Sequence, residues 1–129
     1  MTIRLVAKVV TVQYAVDAPP QGTYSKGDQI WTLYALRNAL PQFGLPKGAK
    51  VGTDSDTATM TSPTRAIAKL QVALPGGTLL VQGHEVLPYI GGTLPVVGGT
   101  GRFANARGTL SVCACRPALW NQVYRLQLP

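Results

Sequence analysis

Five acids and one histidine are all that this sequence offers for ordinary proton transfer: Asp17, Asp28, Asp54, Asp56, Glu85 and His84. A serine triad would have to use His84, and no G-x-S-x-G elbow exists to present a serine. Hydrolysis by that route is not expected. His84 and Glu85 are neighbours, so on a strand they point to opposite faces and only one can face an interior. A carboxylate held there among apolar groups would have a raised pKa and could act as acid or base. The alternative is a solvated pair at the strand end. Asp54 and Asp56 alternate on one face of a polar segment. They read first as an exposed pair at a rim, with paired acid–base chemistry as the alternative.

Two other groups suggest chemistry and fail on context. Gly99-Thr100-Gly101-Arg102-Phe103-Ala104 spells G-x-G-x-x-A, a variant of the dinucleotide-binding turn. That turn must open a long helix whose N-terminus holds a pyrophosphate. Here barely one helical turn fits before Gly108, and no acid follows Glu85. Cys113 and Cys115 would share one face of a strand, but a closed zinc site wants four ligands. They read as two buried thiols, and no metal is expected.

The elements that must position these residues are short and mostly β. Residues 3–14, IRLVAKVVTVQY, are rich in β-branched types. QIWTLYAL, AKVGTDSDTATM, RAIAKLQVAL, TLLVQGH, TLPVV, RGTLSVCAC and WNQVYRLQL follow, separated by Gly, Pro, Asn and Asp. RAIAKLQVAL alternates most cleanly, with Ala66, Ala68, Leu70, Val72 and Leu74 on one face. Pro75-Gly76-Gly77 predicts a tight hairpin. Eight short strands with hairpin-length links predict one all-β domain over residues 1–129. The strand pattern fits an antiparallel barrel or a sandwich, and a closed eight-stranded barrel would be wide enough for one small ligand.

Bulk composition agrees. With 129 residues, 46% of them hydrophobic and 13% charged, the chain is folded without needing a disulfide or a metal. The low charge content predicts a cavity, an oligomer interface, or both. Twelve Lys and Arg against five acids give +7, yet the basic residues are scattered and no RNA-binding motif accompanies them. Nucleic acid is not the expected partner. No stretch approaches the ~20 apolar residues of a spanning helix. The opening MTIRLVAKVV is too charged for a secretory signal, so no membrane partner and a cytoplasmic location are expected.

The glycine-rich stretch VVGGTGRFANARGTLSV resembles the signature of the allene oxide cyclase and dirigent barrels. In that signature a strand ends in GGTG or GGSG, a short turn with Phe follows, and then a glycine and the next strand. GTLLVQGHEV resembles the family's strand ending in VQG, and GDQIWTLYAL its early strand opening on Gly-Asp. AKVGTDSDTATM and ALWNQVYRLQL resemble the strand that follows and the closing strand.

The resemblance implies an eight-stranded antiparallel up-and-down barrel of lipocalin-like shape, a dimer or trimer, that takes a hydrophobic, polyketide-like or oxylipin-like molecule and directs its stereoselective ring closure without a cofactor. That is a cyclase or isomerase of natural-product biosynthesis. The alternative is a dirigent-type or carrier barrel that only holds its ligand. Tyr34 falls where the cyclases place a polar cavity residue, and with Glu85 and His84 it is the expected catalytic set. Tyr14, Asp17, Trp31, Tyr89, Trp120 and Tyr124 are the expected substrate contacts. Asp17 resembles an acid of the dirigent first loop. Where the allene oxide cyclases carry a first-strand glutamate, this sequence has Tyr14, Ala15 and Val16. Phe103 is expected to plug one end of the barrel.

Overall fold

In a computed structural model, which describes all 129 residues, the strands are β1 Thr2–Val16, β2 Gln29–Asn38, β3 Lys50–Ser62, β4 Arg65–Leu74, β5 Gly77–Val86, β6 Gly91–Gly99, β7 Arg107–Arg116 and β8 Leu119–Gln127. Each pairs antiparallel with the next, and β8 returns to β1 to close the barrel. The expected fold is the observed one, and every expected strand is present.

The side-chain period of two places the core. On β4, Ala66, Ala68, Leu70, Val72 and Leu74 are all buried, while Arg65, Lys69 and Gln71 face water. Pro75 and Gly76 form the two-residue link to β5. Gly76 has φ +94°, and a Pro followed by a positive-φ glycine is the pattern of a type II turn.

The two ends of the barrel differ. One end carries the β4–β5 hairpin, the β6–β7 link and both chain termini. Ile3, Leu5, Leu36, Val72, Leu79, Leu110, Tyr124 and Phe103 fill it, each 1% exposed or less. Phe103 sits on the 3₁₀ turn Gly101–Phe103, within the stretch that spelled a nucleotide turn. That turn is bound to the hairpin by Arg102 N–H donating to the Gly76 carbonyl at 2.8 Å and Thr100 N–H to Thr78 at 2.9 Å. A Cβ at Gly99 would collide with the carbonyl oxygens of Phe103 and Thr78. The glycines therefore serve close backbone approach around a plug.

Closure is partial towards the other end. β8 pairs only with Thr2–Ala7 of β1, so from Lys8 to Val16 the outer edge of β1 has no strand partner in the barrel. β5 and β6 pair only over Leu79–Val81. Pro95, which has no N–H to give a ladder, lies just beyond that pairing on β6.

The cysteines depart from expectation. Cys113 and Cys115 are joined as a disulfide near the tip of the β7–β8 hairpin, with Cα atoms 5.2 Å apart. Cys115 is exposed and Cys113 half-buried, so they are not a pair of buried thiols. The strand register breaks between Cys113 and Arg116, and this kink lets two residues of one strand turn their side chains together.

Candidate functional site

The open end holds a chamber of about 280 Å³. Its walls come from the inward faces of β2 (Ile30, Thr32, Tyr34), β3 (Asp56, Ala58) and β5 (Glu85), with Tyr24, Leu87, Pro88, Tyr89 and Trp120 at the mouth. Below it a crevice of about 20 Å³ runs down to Asp54, Gln122, Leu70, Leu94 and Val112. Space of that size admits about one water molecule.

Three carboxyl groups define this interior. Outward positions Thr53, Ser55, Thr57 and Thr59 of β3 carry hydroxyl side chains at home in water. The opposite face carries Asp54, Asp56, Ala58 and Met60, and β-pairing turns that face inward. Asp54 is 1% exposed and Glu85 7%; Asp56 is half-buried. The expectation of an exposed rim pair at Asp54 and Asp56 is thus corrected: both line the interior. Two residues of strand rise put them about 7 Å apart along the chain.

Burial raises all three acids, because an apolar wall solvates an anion poorly. Asp54 is pushed up to about 6 by burial, partly offset by a hydrogen bond from Gln122. Glu85 rises to about 7 through burial and the nearby Asp54. Asp56 rises to about 8 through burial, Glu85 and Asp54. The groups titrate as a coupled set. Asp54 ionises first because it alone accepts a side-chain hydrogen bond: Gln122 Nε2 donates to Asp54 Oδ2 at 2.8 Å. Gln122 is fixed in turn by the Tyr124 hydroxyl, which donates to its Oε1 at 3.0 Å. Burial also raises the Tyr34 and Tyr89 hydroxyls above their usual range, so both stay neutral donors. Asp54 Oδ1, Asp56 Oδ1 and the Tyr89 hydroxyl are buried without any partner. Such groups are costly unless a guest or water satisfies them.

Of the residues expected from sequence, Tyr34, Glu85, Tyr89 and Trp120 meet in the chamber. The Tyr89 and Trp120 rings stack at its mouth, centroids 5.6 Å apart and 16° from parallel. Tyr124 lies below them and touches the site through Gln122. Four others lie elsewhere. His84 is exposed on the outer face of β5; adjacency to Glu85 makes the two exclusive, and Glu85 takes the inside. Trp31 faces outward on β2 and donates to Ser55 Oγ at 2.7 Å. Tyr14 is 49% exposed on the unpaired half of β1. Asp17 is exposed in the β1–β2 loop. The acid that organises that loop is Asp28, fully buried and accepting N–H groups of Ala18 at 2.6 Å and Ser25 at 3.0 Å. Asp54, Asp56 and Gln122 are the residues absent from the expected site. No group of three or more His, Cys, Asp or Glu side chains converges as metal ligands would.

Solved structures share this barrel. A pyocyanin demethylase superposes with TM-score 0.79 at 23% identity, over 98% of this chain and 100% of that one. A pterocarpan synthase dirigent protein gives 0.77 at 16%, over 100% and 87%. The Diels–Alderase AbmU from Streptomyces koyangensis gives 0.70 at 20%, over 96% of this chain and 63% of that one. The fold is therefore that of dirigent proteins and barrel cycloaddition enzymes. No protein-family model matches the sequence, and no curated protein matches it.

Proposed function

We propose that this barrel is a cofactor-free cyclase or isomerase that folds a largely apolar small molecule inside the chamber and moves protons on it with its own carboxyl groups. One observation carries the reading: buried acids whose pKa values straddle neutrality, about 6 at Asp54 and about 8 at Asp56. Near pH 7 the first is mostly ionised and the second mostly protonated, so a base and an acid face the same guest. Asp56 gives a proton to a substrate oxygen while Asp54 removes one from a neighbouring carbon. The net change is an isomer of equal mass, ready for ring closure. Tyr34 and Tyr89, both neutral, donate hydrogen bonds to developing negative charge on that oxygen. Glu85, about 7, can return the proton. Confinement adds the entropic part by holding a flexible chain near its reactive shape. A dirigent-type or carrier barrel would need the walls but not unpartnered acids, whose burial is unfavourable. The cycloaddition and dirigent neighbours share the architecture and so support a guest of this kind.

The experiment is untargeted mass spectrometry of hydrophobic cell extracts incubated with trace protein. A compound converted by many equivalents into an isomer of unchanged mass, by wild type and not by Asp56→Asn, supports the reading. A compound retained once per barrel without conversion selects the carrier.

Self-association belongs to the same reading. Val9, Val10, Val12 and Val16 are between 41% and 60% exposed, on the segment of β1 whose edge β8 leaves unpaired. An edge this apolar is managed in natural proteins by covering it, and a second copy of the chain is the proposed cover. No helix of the chain is long and apolar enough to cross a membrane.

A further inference from the structure

The lining of the chamber says more about its guest than that it is apolar. Twelve Lys and Arg side chains stand in the sequence, and every one of them is exposed. None lines the chamber or the crevice. Three of the five acids do. The +7 molecule is therefore a cationic shell around an acidic, cation-free interior, the opposite of what net charge alone suggests. Two of the three buried polar atoms without a partner are carboxyl oxygens, on Asp54 and Asp56, and carboxylates only accept. The wall beside them is aromatic: Tyr34, Tyr89 and Trp120, the last two stacked near parallel.

We propose that the chamber binds an organic cation: a flat, mostly apolar skeleton carrying a quaternary or readily protonated nitrogen, held against Asp54, Asp56 and Glu85 and along the Tyr89–Trp120 stack. The proposal rests on the chamber being the substrate site and names the chemical class of that substrate. An anionic guest would meet three carboxyl groups and no positive charge. A neutral guest would leave an ionised carboxylate buried and unpaired. A cation supplies the missing countercharge in a low-dielectric site and gains further from the ring faces, which attract positive charge. A flat skeleton matches the near-parallel rings. The same chemistry fits a guest that is neutral at rest and cationic only when protonated, because an Asp or Glu proton can be handed to its nitrogen inside the chamber.

The test is calorimetric binding of three flat probes of similar size at about pH 9, above the range in which the three carboxyls titrate: N-methylquinolinium, neutral quinoline and anionic 1-naphthoate. The expected order is cation, then neutral probe, then anion. The cation should lead quinoline by about tenfold or more, most of it from attraction to the carboxylates in a low-dielectric site. Asp54→Asn/Asp56→Asn/Glu85→Gln should remove that lead while quinoline still binds, which also shows an intact chamber. Asp56→Asn alone should cut the lead in part, a second arm should the triple variant misfold. Quinoline or naphthoate binding as tightly as the cation in the native protein overturns the proposal. So does a full cation lead that survives in the triple variant, since the carboxyls then do not hold the cation. Isomerisation activity is read separately: turnover without cation preference sinks this inference alone, and cation preference without turnover sinks only the catalytic reading.

Discussion

The two halves of this barrel obey the same alternation and do opposite things with it. In the closed half the inward positions are Ile3, Leu5, Leu36, Val72, Leu79, Leu110 and Phe103, and they fill the space completely. In the open half the corresponding positions of the same strands are Tyr34, Asp54, Asp56 and Glu85, and they leave a chamber. β2 shows how little the backbone decides. It runs through both halves with one register against β3 from Gln29 to Leu36, and only the identity of its inward side chains changes, from Leu36 in the closed half to Tyr34, Thr32 and Ile30 in the open one. The closed half stabilises the molecule by apolar burial. The open half gives up part of that stability by desolvating acids. Stability and chemistry are thus separated along the barrel axis, and variants in each half should report on different quantities.

The sharpest separation is expected from Asp54→Asn and Asp56→Asn. Each should lower turnover by about 10²–10⁴-fold, the range for losing a positioned acid or base, while circular dichroism shows an unchanged fold. In the closed half, Phe103→Ala should cost about 3–5 kcal/mol in chemical denaturation, through lost burial and the cavity left behind, with the three acids of the open half titrating as before. A Phe103 variant of native stability would show that the plug is not a plug.

The carboxyls also set how stability depends on pH. Their folded pKa values, about 6 to about 8, lie above those of the unfolded chain. Between pH 4 and 8 the folded state therefore holds more protons, and stability falls as pH rises. The stabilising contribution is full below about pH 4 and lost as pH rises through the folded values, the last of it above about pH 8. Asp54→Asn/Asp56→Asn/Glu85→Gln should raise Tm by about 5 °C or more at pH 8 and flatten the pH profile. Scanning calorimetry across that window decides it. A smaller effect, about tenfold on turnover, is expected for Tyr34→Phe, which removes one neutral donor. His84→Gln on the outer wall should leave turnover unchanged.

The same contrast explains what could be read from the sequence. The closed half was legible because burial and alternation coincide there: RAIAKLQVAL names its inward face without ambiguity, and the GGTGRF stretch names its plug. Tyr34 was also legible, by resemblance; alternation said that only one of His84 and Glu85 could face inward, without saying which. Asp54 and Asp56 were not, because acids on an alternating strand look like its wet face. The counter-signal was on the other face, where Thr53, Ser55, Thr57 and Thr59 are as polar and need no burial. Trp31 misled in the reverse sense: a tryptophan suggests an interior, yet Ile30, Thr32 and Tyr34 already occupy the inward positions of β2. No local pattern marks Gln122, since its role depends on a partner 68 residues away. Nor does the stopping of β8 at Ala7 show in the sequence of β1. At that unpaired edge, Val12→Lys should shift any assembly towards monomer in light scattering.

The most direct measurement is a carbon-detected NMR titration of the five side-chain carboxyl groups in the ligand-free protein. Asp54, Asp56 and Glu85 should titrate late, between about 6 and about 8, with Asp54 ahead of Asp56. If all three are fully ionised by about pH 5, the interior is wet and ordinary, and a barrel that holds acid and base together at neutral pH does not exist.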